Sequence, residues 1–251
     1  MILANGISIL PTIFPDKTSQ VWHIDSSILT AVDVKITWEF EHESELLWLV
    51  QLVYLIHHTG RNNTIKLYIP YLPYGRQDKD ISNESTFSLY VFADIINNLD
   101  LDAVYTIDVH NYDMFEAYFY NAHNIIPVTY IDNTIKSSNP DLIGFPDKGA
   151  VERYSFMTLP SVIGDKERDP ATGYLVYKGI SNDVDLNGKS VLIVDDICDG
   201  GMTFILFSKL LYEKGASEVN LYTTHGIYSK GIDCLKKAGI KHIYNRNGEV
   251  R

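Results

Sequence analysis

The chain has 251 residues, of which 45% are hydrophobic and 21% are charged, and its formal net charge is −11. This composition is typical of a globular protein with one large or two smaller domains, and it excludes an intrinsically disordered chain. The acidic balance argues against nucleic-acid binding, and no apolar run is long enough to cross a membrane.

The first half of the chain alternates between strand-like and helix-like segments. Residues 7–22 predict a turn between short strands, because Pro15 and Asp16 favour a tight turn. Apolar and β-branched runs predict strands over residues 33–37, 65–69, 103–107 and 125–130. Apolar residues at helical spacing predict helices over residues 43–58 and 86–99.

The second half repeats this alternation. Its predicted strands cover residues 142–145, 161–163, 191–194 and 219–223, and its predicted helices cover residues 151–157, 203–214 and 229–238. The pattern predicts an α/β protein with mainly parallel sheets covered by helices, in two related halves, residues 1–135 and 136–251. Ligands of such sheets bind at the carboxyl ends of the strands.

The targeting signals and the thiols of the chain point to one compartment. Its N-terminus lacks the basic residues and the long apolar core of a secretory signal. The two cysteines, Cys198 and Cys234, are too few for a disulfide framework in a chain of this length. We therefore expect a cytoplasmic protein with reduced thiols.

An acidic, glycine-containing segment follows the predicted strand 191–194 and precedes a predicted helix. Its polar and special residues are, in order, Asp195, Asp196, Asp199, Gly200, Gly201, Met202 and Thr203. Free N–H groups at a helix N-terminus attract an anion, and glycines let the backbone approach it closely. The first two acids would repel a bare phosphate and are better suited to a sugar diol or a magnesium ion.

This segment resembles the phosphoribosyl pyrophosphate loop shared by type I phosphoribosyltransferases and phosphoribosyl pyrophosphate synthetases. The resemblance implies that Asp195 and Asp196 hold the ribose hydroxyls and that residues 199–203 hold the sugar 5-phosphate. Family loops usually read D-T-x-G-T, whereas this chain has Met202 at the position of that glycine. The difference leaves open whether the acceptor is ribose 5-phosphate or a sugar with a larger 5′-substituent.

A second segment, residues 70–79, follows the predicted strand 65–69 and contains Arg76 and Lys79 as cations. It resembles the P-Y-x-x-Y-x-R-Q-D-K loop of the synthetases, which the transferases lack. The resemblance implies that Arg76, Gln77 and Asp78 bind ATP.

Two shorter segments also resemble ATP-binding motifs of the synthetases. Asp108 and His110 follow the predicted strand 103–107 and resemble a D-x-H pair in which the histidine binds the magnesium of Mg-ATP. Phe14 and Asp16 resemble an F-P-D-G-E motif that reaches the ATP of a neighbouring subunit. The glycine and glutamate of that motif are replaced here by lysine and threonine.

Two further resemblances concern the metal and the transition state. Asp147 falls in a stretch that resembles P-D-x-G, where the acid lies near the metal and the sugar, while we expect Glu152 and Arg153 on a solvated helix face. Lys166 and Arg168 resemble a K-x-R pair on a flexible loop. Two cations closing over the phosphates would stabilise the transition state of phosphoryl transfer.

The chain is identified as a member of the phosphoribosyl pyrophosphate synthetase (ribose-phosphate pyrophosphokinase) family. This implies transfer of the β,γ-pyrophosphate of ATP to the C1 hydroxyl of ribose 5-phosphate, with Mg²⁺ as cofactor and a homo-oligomer built from dimers. One alternative is the same transfer to ADP-ribose, as in phage-encoded relatives that make ADP-ribose pyrophosphate while rebuilding NAD. The others are a type I phosphoribosyltransferase and an inactive relative. Neither nucleic acid nor a membrane is an expected partner.

Overall fold

The protein is described by a computed structural model that covers residues 1–59, 63–80, 82, 84–168 and 175–251, with the side chain of Arg168 outside that description. The chain divides into two compact units, Met1–Ile126 and Pro127–Arg251, called unit 1 and unit 2 below. The predicted boundary after residue 135 falls inside a helix of unit 2, Val128–Ser138.

Unit 1 contains a six-stranded sheet. The unit has eight strands in the described residues, six in this sheet and two in a separate hairpin. They are β1 Ile2–Ala4, β2 Ile7–Ile9, β3 Thr12–Ile13, β4 Ser19–Gln20, β5 Asp33–Trp38, β6 Thr64–Tyr68, β7 Ala103–Ile107 and β8 Ala122–Ile125. Its helices are α1 Ser26–Thr30, α2 Ser44–His57, α3 Ser88–Asn97 and α4 Tyr112–Tyr118. The sheet order is β2-β1-β5-β6-β7-β8, with β5 to β8 parallel. β3 and β4 form a separate hairpin, which confirms the turn predicted in residues 7–22.

The helices of unit 1 form because apolar residues recur at helical spacing. In α2, Leu49, Leu52, Val53 and Ile56 are buried, and they lie three or four residues apart on one face. These side chains belong to the same apolar cluster as the buried residues of the sheet. Burial of this face, rather than helix propensity alone, stabilises the helix.

Unit 2 contains a seven-stranded sheet. Its strands are β9 Leu142–Phe145, β10 Ser161–Arg168, β11 Leu175–Ile180, β12 Ser190–Cys198, β13 Glu218–Gly226, β14 Ile240–Asn245 and β15 Gly248–Glu249. Its helices are α5 Val128–Ser138, α6 Lys148–Arg153, α7 Met202–Glu213 and α8 Asp233–Lys237. The sheet order is β11-β10-β9-β12-β13-β14-β15. The five inner strands are parallel, and the two edge strands are antiparallel.

Strand β12 lies at the centre of the sheet of unit 2 and is buried on both faces. Val191 and Ile193 pack in one apolar cluster with side chains of α7, such as Phe207. Leu192 and Val194 pack in another cluster on the opposite face, with residues of α5 and α6. This arrangement explains why the strand is a continuous apolar run, since both of its faces are covered by helices.

Three predicted elements differ from the structure. The helix predicted over residues 151–157 is α6, which covers Lys148–Arg153, so residues 154–157 lie outside it. Residues 126–130 were predicted as strand, but β8 ends at Ile125 and α5 begins at Val128. A helix forms here instead of a strand because the helix buries Ile131 and Thr134, which lie about one turn apart. Residues 229–238 were predicted as one helix, but α8 covers only Asp233–Lys237. A turn precedes it, since Gly231 has a φ of 71°, in the left-handed region.

None of the helices in the described part of the chain is both long and apolar enough to cross a bilayer.

Candidate active site

The paired acids of unit 2 lie near the end of β12, beyond the point where one of its neighbours stops. β9 pairs with β12 only as far as Ile193, whereas β13 continues to pair with it as far as Cys198. Asp195 and Asp196 are therefore still in the strand, but they no longer have a strand on the β9 side. This step in the sheet edge opens a place for a ligand beside the two carboxylates.

Arg153, at the end of α6, binds both of these acids. Its Nη1 atom lies 2.8 Å from Oδ1 of Asp196 and 3.5 Å from Oδ1 of Asp195. Only 21% of the arginine side chain is exposed, so the expectation of a solvated helix face was wrong for Arg153. The sequence contained a signal for this burial, because Arg153 lies three residues after the buried Ala150 and next to the buried Tyr154.

Asp195 and Asp196 are an electrostatically strained pair. Burial and repulsion from Asp196 raise the pKa of Asp195 well above its usual value, and the charge of Arg153 opposes that rise. The side chain of Asp195 is 15% exposed and that of Asp196 is 4% exposed. Two buried carboxylates beside one cation form a site that gains from any additional hydrogen-bond donor, such as a sugar hydroxyl.

The segment after β12, residues 199–203, is called the cradle below. Gly201 is the N-cap of α7 with a φ of 77°, and a side chain there would place a Cβ 2.8 Å from Cδ2 of Leu235. Glycine is therefore required at this position. The helix begins at Met202, one residue before the predicted start, and Met202 is 49% exposed. The first N–H groups of α7 lie in this turn, where an anion finds donors.

Asp147 and Lys166, predicted near the metal and the transferred phosphates, are in direct contact. Oδ1 of Asp147 accepts from the backbone N–H of Ala150 at 3.1 Å and thereby caps α6, and Oδ2 lies 2.8 Å from Nζ of Lys166. Partial burial raises the pKa of Asp147, but the hydrogen bond and charge of Lys166 outweigh it, so the pKa is below its usual value. The structure thus joins two residues that lie 19 positions apart.

Lys166 and Arg168 lie in strand β10, so the prediction that they belong to a flexible loop was wrong. β10 pairs antiparallel with β11, and Lys166 faces Tyr177 in the register. The charge run is compatible with a strand because Glu167 forms a 2.6 Å ion pair with Lys178 across the hairpin. The side chain of Arg168 is outside the described residues.

Gly164 allows the hairpin of β10 and β11 to pack closely. A Cβ on Gly164 would lie 2.5 Å from the ring of Tyr177, 2.7 Å from the carbonyl oxygen of Pro146 and 3.1 Å from the ring of Phe207. Tyr177 and Phe207 in turn stack with their centroids 5.2 Å apart. The hairpin is thus packed directly against α7, the helix that follows the cradle.

In unit 1, the predicted ATP loop, residues 70–79, follows β6. Arg76 and Gln77 are exposed, and Asp78 is buried at 8% exposure. The loop is held by backbone bonds, since Gln77 donates from its N–H to Tyr74 and accepts from Leu89 at its carbonyl. Tyr74 adopts a φ of 62° and hydrogen bonds Glu43; burial and this bond raise the pKa of Tyr74 to about 12.

The segment after β7 lies beside this loop. The N–H of Ile107 donates to the carbonyl of Pro70 at 3.1 Å. Asn111 donates from Nδ2 to Oδ2 of Asp78 at 2.6 Å, while its own Oδ1 accepts from Met114 and caps α4. His110 immediately precedes this asparagine and is exposed. Asn111 was missed in the sequence analysis, although an asparagine before a helix is a common N-cap.

Phe14 and Asp16 lie in the turn between β3 and β4. Oδ1 of Asp16 accepts from the N–H and the hydroxyl of Thr18, at 3.0 and 2.7 Å, and the hydroxyl bond is the main reason why the pKa of Asp16 is lowered. The ring of Phe14 lies 6.4 Å from that of Trp22. These contacts describe a stable turn, and the ATP-binding role of its two residues stays a prediction.

The donors available for magnesium are single side chains. In the described ranges, no three His, Cys, Asp or Glu side chains are grouped so that they could hold a metal ion. Magnesium usually keeps several waters and binds one or two carboxylates together with substrate phosphates. The Asp147 oxygens each keep a second lone pair beside their present partners, and His110 is exposed. Each residue, within its own unit, therefore fits a magnesium ion whose other ligands are water and phosphate oxygens.

Known proteins resemble this chain over both units. Residues 131–245 match the family model of the phosphoribosyl transferase domain. A ribose-phosphate pyrophosphokinase of Pyrococcus furiosus is 32% identical over 235 residues, and the match covers 90% of this chain and 80% of the relative. The chain belongs to the ribose-phosphate pyrophosphokinase family.

Other members of the ribose-phosphate pyrophosphokinase family match it as well. The relative from Pyrococcus abyssi is 37% identical over 182 residues, which covers 69% of this chain and 62% of the relative's length. A crystal structure of the phosphoribosylpyrophosphate synthetase from Mycobacterium smegmatis has the same fold, with a TM-score of 0.76 at 20% identity, covering 95% of this chain and 79% of that one. The predicted α/β fold and family are confirmed.

The matches to ribose-phosphate pyrophosphokinases also bear on the alternatives. A type I phosphoribosyltransferase would share the cradle but not the predicted ATP loop of unit 1. The match to the Pyrococcus furiosus relative covers 90% of the chain and therefore extends over both units. These relatives are named for ribose phosphate. The ADP-ribose alternative gains no support from them.

Proposed function

We propose that the protein transfers the β,γ-pyrophosphate of Mg-ATP to the C1 hydroxyl of ribose 5-phosphate, giving phosphoribosyl pyrophosphate and AMP. The main support is the pair Asp195 and Asp196, which precedes the cradle and is joined to Arg153. A carboxylate pair beside an anion-binding turn matches a ribose phosphate, which has hydroxyls at one end and a phosphate at the other.

In this proposal, unit 2 binds the sugar. Ribose hydroxyls donate to Asp195 and Asp196, and Arg153 offsets the repulsion between the two acids. The N–H groups at the start of α7 and the hydroxyl of Thr203 bind the 5-phosphate, together with Gly200 and Gly201, where the backbone can approach closely. Asp199 positions the cradle through its 2.6 Å hydrogen bond from Ser229.

Unit 1 binds ATP. Arg76 and Gln77 are exposed and contact the nucleotide, and Asp78 fixes the loop through Asn111. His110 in unit 1 and Asp147 in unit 2 are each a proposed ligand for magnesium, which would neutralise phosphate charge when bound. Phe14 and Asp16 would serve the ATP of a neighbouring copy in a homo-oligomer, and light scattering of the purified protein tests that assembly.

Lys166 and Arg168 stabilise the transition state. Negative charge shifts onto the phosphate oxygens as the sugar hydroxyl attacks the β-phosphorus and AMP leaves, and fixed cations stabilise that shift. Before substrates bind, Asp147 holds the ammonium of Lys166 at 2.8 Å. Catalysis is therefore positioning plus charge stabilisation, with no covalent enzyme intermediate.

The proposal is tested by incubating the protein with Mg-ATP and one acceptor at a time, and by measuring AMP and the sugar product by mass spectrometry. We expect AMP and phosphoribosyl pyrophosphate with ribose 5-phosphate, and loss of both in Asp196→Asn. The matched control is Asp183→Asn, which neutralises an exposed acid of the same unit. AMP release only with ADP-ribose, or base-dependent consumption of phosphoribosyl pyrophosphate without ATP, would instead show one of the alternatives.

A further inference from the structure

A turn after β13 is fastened to the cradle of unit 2. The N–H groups of Ile227 and Tyr228 both donate to the carbonyl of Cys198, at 2.8 and 3.1 Å. The hydroxyl of Ser229 donates to Oδ1 of Asp199 at 2.6 Å. Three hydrogen bonds thus hold residues 227–229 against the beginning of the cradle, and they fix the position of the next residue, Lys230.

The side chain of Lys230 lies across Gly200. A Cβ placed on Gly200 would be 3.5 Å from Cε, 3.6 Å from Cδ and 3.9 Å from Cγ of Lys230, so the aliphatic stem runs along the glycine at van der Waals distance. The absence of a side chain at residue 200 leaves this space to the lysine. Its ammonium is one bond beyond Cε and is therefore beside the cradle. Lys230 is exposed and forms no ion pair with any described residue.

A cation at this place would offset the repulsion between the acidic residues near the cradle and the phosphate of the proposed substrate. The chain carries a net charge of −11, and Asp195, Asp196 and Asp199 come immediately before the glycines of the cradle. The helix N-terminus alone supplies only partial positive charge. A phosphate monoester with nearly two negative charges is held better when a full positive charge is close to its oxygens.

We propose that Lys230 binds the 5-phosphate of the sugar and sets the preference of the cradle for a phosphorylated acceptor. This inference rests on the proposed function and assigns a residue outside the phosphoribosyl pyrophosphate loop to the same site. An ammonium on a flexible stem can follow the phosphate oxygens without a fixed geometry. The competing explanation is that the stem merely covers the bare backbone of Gly200.

Two substitutions separate these explanations. Lys230→Met keeps a long apolar stem over Gly200 but removes the charge, and Lys230→Arg keeps the charge. We expect Lys230→Met to raise KM for ribose 5-phosphate about tenfold, because a charge-assisted contact at an exposed site is lost. KM for ATP and the melting temperature should stay unchanged, and Lys230→Arg should recover most of the affinity.

The matched control is Lys209→Met, which removes an exposed lysine from the middle of α7 and leaves the cradle intact. An unchanged KM for ribose 5-phosphate in Lys230→Met would overturn the inference. So would an equal rise in Lys209→Met, because that result would reflect net charge alone. A rise that Lys230→Arg fails to reverse would also overturn it.

Calorimetric titration with ribose 5-phosphate, without ATP, distinguishes failure of this inference from failure of the proposed function. If the wild type releases no AMP but binds ribose 5-phosphate more tightly than Lys230→Met does, the transfer reaction is wrong and the phosphate contact stands. If the wild type releases AMP and binding is equal in both proteins, the reaction stands and the phosphate contact is wrong.

Discussion

The candidate ATP residues of unit 1 and the candidate sugar residues of unit 2 are positioned by different forces. In unit 1, the loop of residues 70–79 is held by backbone bonds and by the amide of Asn111 on Asp78. In unit 2, Lys166 is paired with Asp147, and Arg153 with Asp195 and Asp196, charge against charge. Removing one charge in unit 2 leaves a buried or half-buried partner uncompensated, whereas removing the uncharged amide of Asn111 in unit 1 costs one hydrogen bond to Asp78 and one helix cap.

The largest effect is expected from Lys166→Met. In the proposed function this cation stabilises charge only in the transition state, so its loss should lower kcat about 100- to 1,000-fold, with little change in KM. Steady-state assays of AMP release measure both constants. Lys178→Met is the control, because it removes another lysine of the same hairpin that is paired with Glu167. An equal loss of kcat in that variant would show that the hairpin, not the ammonium of Lys166, is responsible.

Arg153→Met should lower kcat/KM for ribose 5-phosphate about 100-fold, because it leaves two carboxylates without their shared cation. The charge of Arg153 lowers the pKa of Asp195, so its removal raises that pKa further. Asp195 accepts sugar hydroxyls best when ionised, and ionisation is lost as pH falls through the folded pKa. The acid limb of the pH profile of kcat/KM should therefore move to higher pH.

The control for Arg153→Met is Glu152→Gln, at the neighbouring position of α6. A pH profile that keeps its acid limb in Arg153→Met would contradict the assignment of that limb to Asp195. It would leave Arg153 with a structural role only.

Asn111→Ala tests the role of this uncharged amide in unit 1. It removes the bond to Asp78 and the cap of α4, so we expect a loss of about 1 kcal/mol in the free energy of unfolding and a rise of about fivefold in KM for ATP. KM for ribose 5-phosphate should not change. Asn98→Ala removes another side-chain amide bond of unit 1, at the end of α3, and serves as the control. A change in both KM values would contradict the assignment of ATP to unit 1 and of the sugar to unit 2.

Asp195→Asn should change the free energy of unfolding by an amount similar to that of Asn111→Ala, but in the opposite direction. The pKa of Asp195 is raised in the folded protein, so ionising this carboxyl costs stability as pH rises from the unfolded towards the folded pKa. The amide should therefore raise the free energy of unfolding by about 1 kcal/mol at neutral pH while activity falls. The gain should vanish in acid, where the carboxyl is protonated in both states. Thermal melts at both pH values measure this difference.

Much of the fold could be predicted from apolar patterning. The buried run Val191–Val194 and the helical spacing in α2 are strong local signals. α2 lies within one residue of its predicted bounds, whereas β12 continues four residues beyond its predicted end at Val194. The segment 125–130 misled because β-branched residues around Pro127 favour a strand locally, whereas burial of Ile131 in the core favours the helix. α4, β11 and β14 were not predicted.

The position of the site was easier to predict than its connections. Placing polar residues at strand ends located Asp147, Asp195 and the cradle, because topology alone determines that edge. The pairing of Lys166 with Asp147 depends on a hairpin with its own cross-strand ion pair, which a charge run in the sequence does not reveal. The contact of Lys230 with Gly200 depends on a turn 30 residues away, fixed by the Ser229 bond.

Because Gly164 has no side chain, the packing of the hairpin is sensitive to the size of any residue that replaces it rather than to the charge of that residue. Even one methyl group there would meet Tyr177, Phe207 and the backbone of Pro146 at once. The hairpin would be displaced from α7, and Lys166, two residues after Gly164, would move away from Asp147 with it. Inactivating changes in this protein therefore need not touch a single ionisable group, and a screen for lost activity should recover uncharged replacements at Gly164.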